Sequence, residues 1–167
     1  MGKIVKSDWT LIPATERELH SVRERCRRLV LRRAVISAGV SAVPIPGVDV
    51  MSDLSLFALL INDINKEFGL TPEQIERLQP RLRLIAYEAA VGVGGMMVGR
   101  LVTRELMVQV FKRTGMSMFA RTASKVVPIA GQIASAAIGF TVFRAMGYQH
   151  VDACVAVTQE LIGAGAA

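Results

Sequence analysis

Apolar residues return every three or four positions along most of this chain, and they rarely alternate. That period belongs to helices. Thr15-Glu16-Arg17-Glu18 reads as a capping box. The helix it opens carries Leu19, Val22, Cys26, Leu29 and Val30 on one stripe, interrupted by Arg33. Beyond Arg33 the segment carries no charge until past Pro44. A second stripe follows Asp49, a natural N-cap, through Val50, Leu54, Phe57, Ala58, Ile61, Ile64 and Phe68. Gly69 predicts a left-handed end to that helix. Thr71-Pro72-Glu73-Gln74 predicts a short third helix that stops near Pro80. A long helical segment is then expected from Arg81 to about Thr114, followed by a short basic turn at Met116–Lys125. The charge-free run Val126–Phe143 predicts a buried helix ended by Gly147, and His150–Ile162 a last amphipathic one.

No run of alternating β-branched residues argues for a sheet. The reading is all-α, a single-domain bundle of about six to eight helices. The helical domain covers 15–162, after an arm at 1–14 and before a frayed end at 163–167. Two helix breaks echo one another. Val43-Pro44-Ile45-Pro46-Gly47, with Asp49 beyond it, aligns with Val127-Pro128-Ile129-Ala130-Gly131. Each copy precedes an apolar helical pattern, so the two segments are expected to lie near each other in a pseudo-repeat.

Composition sharpens the picture. Apolar residues make up 51% of the 167 residues and aromatics 5%, so close packing has to come from small side chains. Gly92, Gly95 and Gly99 fall three and four apart, which predicts a helical face for close packing. The same balance suits a tight bundle or membrane helices. Val126–Phe143 reaches only the lower limit for a bilayer span, about 17–25 residues, and Pro128, Gly131 and Gln132 dilute it. A buried central helix is the more economical reading.

The net charge of +6 comes in blocks. Residues 1–33 and 77–125 are basic, and residues 49–76 are acidic. Arg23, Arg25, Arg27, Arg28 and Arg32 crowd onto the first helix. They need a counter-surface, which the acidic block Asp49–Glu76 or an anionic lipid surface could supply. Nucleic acid fits poorly, because no aromatics interleave with the basic residues.

Candidate chemistry is sparse. Asp49 and Asp53 share a helix side but have no third ligand, so they read as acids favouring the helix N-terminus. Gly92–Gly99 lacks the lysine and Ser or Thr of a phosphate loop. His20 and His150 stand alone, and Cys26 and Cys154 read as buried thiols. No catalytic residue, cofactor or metal site is expected. No secretory signal is expected at the start, because Lys3, Lys6 and Asp8 break it up.

Ala42-Val-Pro-Ile-Pro-Gly-Val-Asp-Val-Met-Ser-Asp53, followed by Phe68-Gly-Leu-Thr71, resembles the C-terminal helical region of immunity-related GTPases. It looks equally like a bacterial domain family of unknown function that includes GTPase-associated inner-membrane proteins. Val127-Pro-Ile-Ala-Gly-Gln132 and Ala136–Phe140 are similar to the closing helix pair of that group. The resemblance covers roughly residues 25–162. It implies a helical module that associates with membrane or oligomerises and works beside a GTPase. The chain has no GxxxxGK[ST] and so does not hydrolyse GTP by that family's mechanism. The expectation is a non-enzymatic cytoplasmic module, at the inner face of the membrane, that binds anionic lipid or a GTPase-type partner or forms a homo-oligomer. The alternative is a soluble adaptor that binds a protein through its charged faces.

Overall fold

The computed structural model describes residues 12–41, 50–94, 97–110, 112 and 132–165. The protein is all-α, and no strand occurs among the described residues. Among the described residues the helices are α1 (Glu16–Ser41), α2 (Val50–Glu67), α3 (Pro72–Glu76), α4 (Pro80–Gly92), α5 (Arg104–Val110) and α6 (Gln132–Gly163). Both Pro-Gly segments, with Pro44, Pro46, Gly47, Asp49, Pro128 and Gly131, lie outside the described residues.

Local signals set several helix ends. Thr15 Oγ1 accepts the Glu18 N–H at 3.2 Å. Glu18 accepts the N–H of Ala14 at 2.9 Å, one residue upstream of the expected partner. The box is therefore shifted, but it still satisfies two backbone donors. At the end of α2, Gly69 has φ +72°. The Leu70 N–H reaches the Asn65 carbonyl at 2.8 Å and the Gly69 N–H reaches that of Lys66 at 3.1 Å. This pair of bonds closes a helix through a left-handed glycine. Thr71 and Gln74 cap each other to start α3, with Pro72 in the first turn as expected. Pro80 opens α4 in the same way.

Two expectations are corrected. Residues 81–114 do not form one helix. Gly92 closes α4, Gly94 and Gly99 turn the chain at φ +66° and +70°, and α5 starts afresh at Arg104. Thr103 caps that restart, accepting the Leu106 N–H at 3.3 Å. Conversely, Gly147 does not end a helix, and α6 runs through it to Gly163. A Cβ at Gly147 would sit 2.6 Å from Val30 Cγ1, so this glycine is where α1 packs against α6.

The chain forms two compact units, each drawing on α1, α2 and α6. The first takes residues up to Cys26, Asn62–Leu101 and His150 onward. Its core includes Leu19, Val22, Ile64, Phe68, Ile75, Val157 and Leu161. Glu76 ties α3 to α4 there, pairing with Arg83 at 2.8 Å and accepting the Tyr87 hydroxyl at 3.0 Å. The second takes Arg27–Ile61 and Val102–Gln149. Its core holds Val30, Ala34, Leu60, Ile61, Met107 and Met146, with Phe57 and Phe143 edge to face at 4.8 Å.

Candidate functional site

Helix α1 buries Leu19, Val22, Cys26, Val30, Ala34 and Ser37, the three- and four-residue recurrence of one helical face. Its arginines therefore fan over the rest of the surface, and the fold treats them differently. Arg23 pairs with Asp152 of α6 at 3.1 Å. Arg25 takes Ser21 Oγ at 3.0 Å and Glu67 at 3.5 Å. Arg27 lies over the Tyr148 ring at 4.9 Å, a ring also approached by Arg144 at 5.7 Å. The expected acidic block thus contributes Glu67, while the partner of Arg23 comes from outside it.

Arg28 and Arg32 are exposed and make no ion pair among the described residues. Leu31, Val35 and Ile36 follow at helical spacing and are also exposed, at 40%, 57% and 57%. Residues 28, 31, 32, 35 and 36 share one face of α1, opposite Cys26, Val30 and Ala34. That face is basic at one end and apolar at the other. The paired carboxylates expected near the start of α2 fall where Asp49 and the Asp53 side chain are outside the description.

The glycine segment is not the packing face its spacing predicted. Gly92 has nothing within 4 Å of an added Cβ, so no helix among the described residues packs on it. Gly95 lies outside the described residues. Gly99 is closely packed, since an added Cβ would lie 2.7 Å from Ile75 Cδ1, but it is a turn residue rather than a helical one.

A buried polar cluster went unread in the sequence. Asn65, on α2, faces His150 and Cys154, one turn apart on α6. Asn65 Oδ1 lies 2.9 Å from His150 Nε2 and accepts from the Cys154 thiol at 3.6 Å. Its Nδ2 donates to the Met97 carbonyl at 3.0 Å. One further turn along α6, Thr158 satisfies its hydroxyl on the Cys154 carbonyl at 2.8 Å. The readable signal was a lone Asn inside the apolar stripe of α2, because a buried amide demands partners.

The residue types could suggest nucleophilic chemistry, but the surroundings oppose it. Burial pushes the Cys154 thiol well above its ordinary range and His150 down to about 4. A thiolate–imidazolium pair needs the reverse. Cys26, also buried, is pushed up to about 12, first by burial and then by Glu67. Among the described residues no group of three or more His, Cys, Asp or Glu could hold a metal ion. Among them, too, no helix is long and apolar enough to cross a membrane.

Compared with known protein families, curated proteins and solved structures, the chain finds no match.

Proposed function

We propose that this chain is a non-enzymatic helical module that docks peripherally on an anionic membrane surface through the outer face of α1. One observation carries the reading: Arg28 and Arg32 share an exposed face with Leu31, Val35 and Ile36. Arg23, Arg25 and Arg27 are already engaged within the fold and are not assigned to the surface. An interfacial helix buries its apolar side chains at the headgroup boundary while its cations meet lipid phosphates. Apolar burial contributes about 25 cal/mol per Å², and each cation about 1 kcal/mol. The resemblance of Ala42–Asp53 and Val127–Gln132 to GTPase-associated helical domains supports a GTPase as a protein partner at that surface.

Co-sedimentation with vesicles tests this, comparing phosphatidylcholine alone with a phosphatidylcholine–phosphatidylserine mixture at low and high salt. Binding should need the anionic lipid and weaken with salt. Replacing Arg28 and Arg32 with Gln should cost about 2 kcal/mol, some thirtyfold, on the same per-residue figure. Arg23→Gln should leave vesicle binding nearly unchanged. Wild-type protein that stays in the supernatant at low salt would overturn the lipid reading and leave a protein as the occupant of this face.

A further inference from the structure

Helix α4 turns Ala86 and Ala90 into the core of the first unit. Its opposite face is apolar and uncovered: Leu84 is 59% exposed and Val91 82%. Tyr87 flanks them, and an added Cβ at Gly99 would lie 3.6 Å from its ring. That approach brings the turn before Leu101, itself 66% exposed, against the same side of α4. An apolar patch of this kind on a helix face usually marks an interaction site.

The charges beside the patch identify its occupant. Arg81 and Glu88 are exposed, seven residues apart, on the same flank of the Leu84–Val91 stripe. Neither makes an ion pair among the described residues. Side chains on one flank of a helix meet the same flank of a partner when two helices pair antiparallel. In that arrangement the Arg81 of each helix faces Glu88 of the other. A parallel pairing would set this flank against the opposite flank of the partner, and Arg81 would not meet Glu88. A two-fold interface uses one surface patch twice and therefore has to be self-complementary, which this flank is.

We infer that the exposed face of α4 is a dimer interface, pairing antiparallel with α4 of a second copy of this chain. Leu84 sits closest to the two-fold axis, and the Arg81–Glu88 pairs on either side set orientation and register. This interface is independent of the lipid-docking face on α1.

Analytical ultracentrifugation of the full chain tests the inference. Wild-type protein should dimerise with a Kd below about 100 µM. Leu84→Glu should abolish dimerisation without changing thermal stability measured well below the Kd, because the side chain is exposed in the monomer. R81E and E88R should each weaken dimerisation about tenfold. Mixing the R81E and E88R chains should give a heterodimer tighter than either homodimer, since one chain then presents two acids and the other two bases. The double variant R81E/E88R should recover wild-type affinity. A wild-type chain that stays monomeric at 100 µM, or an R81E and E88R mixture no tighter than its components, would overturn the proposal.

Discussion

Asn65 and His150, 85 residues apart in sequence, meet side chain to side chain at 2.9 Å in the core of the first unit. The contact settles two orientations. Asn65 Nδ2 is committed to the Met97 carbonyl at 3.0 Å, so its Oδ1 is the atom that faces the imidazole. His150 Nε2 must then carry the proton and donate it. A neutral imidazole in one tautomer links α2 to α6, and the same amide holds the chain at Met97.

Asn65→Ala should therefore be costly. It strands the imidazole N–H and the Met97 carbonyl and leaves a small cavity. The expected loss is about 2–4 kcal/mol, read from the midpoint of urea unfolding. A midpoint within error of wild type would show that water or repacking replaces the amide at no cost.

His150 should make stability depend on pH. Burial lowers its pKa to about 4 in the folded chain, against an ordinary 6.5. The unfolded chain therefore binds this proton first, and protonation favours unfolding. Its contribution is fully present above pH 6.5 and is lost as the pH falls through about 4. The loss amounts to roughly 3 kcal/mol over that window. Because carboxylates also titrate there, the informative quantity is the stability difference between wild type and His150→Gln at pH 7 and at pH 4.5. That difference should shrink on acidification. A constant difference would remove His150 as its source.

The glycines of two helices should respond in opposite directions. At Gly147 an added Cβ meets Val30 at 2.6 Å, so Gly147→Ala should destabilise by about 1–3 kcal/mol. Combining it with Val30→Ala should recover part of that loss, because the two sites are in contact. Gly92 is helical with open space around it, so Gly92→Ala should be neutral or stabilise by about 0.5–1 kcal/mol. Thermal unfolding of both variants checks the pair. Equal shifts would mean that α1 and α6 do not pack at Gly147.

Cys26 and Cys154 should be silent toward a thiol reagent in the folded protein. Both are free and buried, and both thiols are shifted away from the reactive thiolate. Dithionitrobenzoate at pH 8 should react with neither until urea unfolds the chain, and then with both. Rapid native-state reaction of either would place it in a region that opens locally.

Much of the helical layout was legible because helix starts and stops are short-range. Thr15, Thr71 with Gln74, Pro72 and Gly69 act on backbone groups within a few residues, so their roles survive whatever packs around them. The glycines were not legible in that way. Gly99 and Gly147 both looked like helical spacing or a helix stop. Whether a glycine turns the chain or lets a neighbour approach depends on contacts such as Ile75 and Val30, which are distant in sequence. The candidate surface was half legible. The cluster of five arginines stood out, but not which of them the fold had already engaged. Arg23 finds Asp152 across 129 residues, and no local pattern encodes that pairing.

By itself, then, the sequence determined the all-α class, the caps at Thr15, Gly69 and Thr71, and most of the buried stripes of α1 and α2, because periodicity and capping are local properties of the backbone. Only the tertiary structure decided that α6 continues through Gly147, that α4 and α5 are separate, and that Asn65, His150 and Cys154 meet. It also decided that Arg23, Arg25 and Arg27 find partners within the fold, while Arg28 and Arg32 lie exposed beside Leu31, Val35 and Ile36 with no ion pair among the described residues. Each of these depends on which side chains from remote segments share a few ångströms of space, and a one-dimensional pattern carries no record of that.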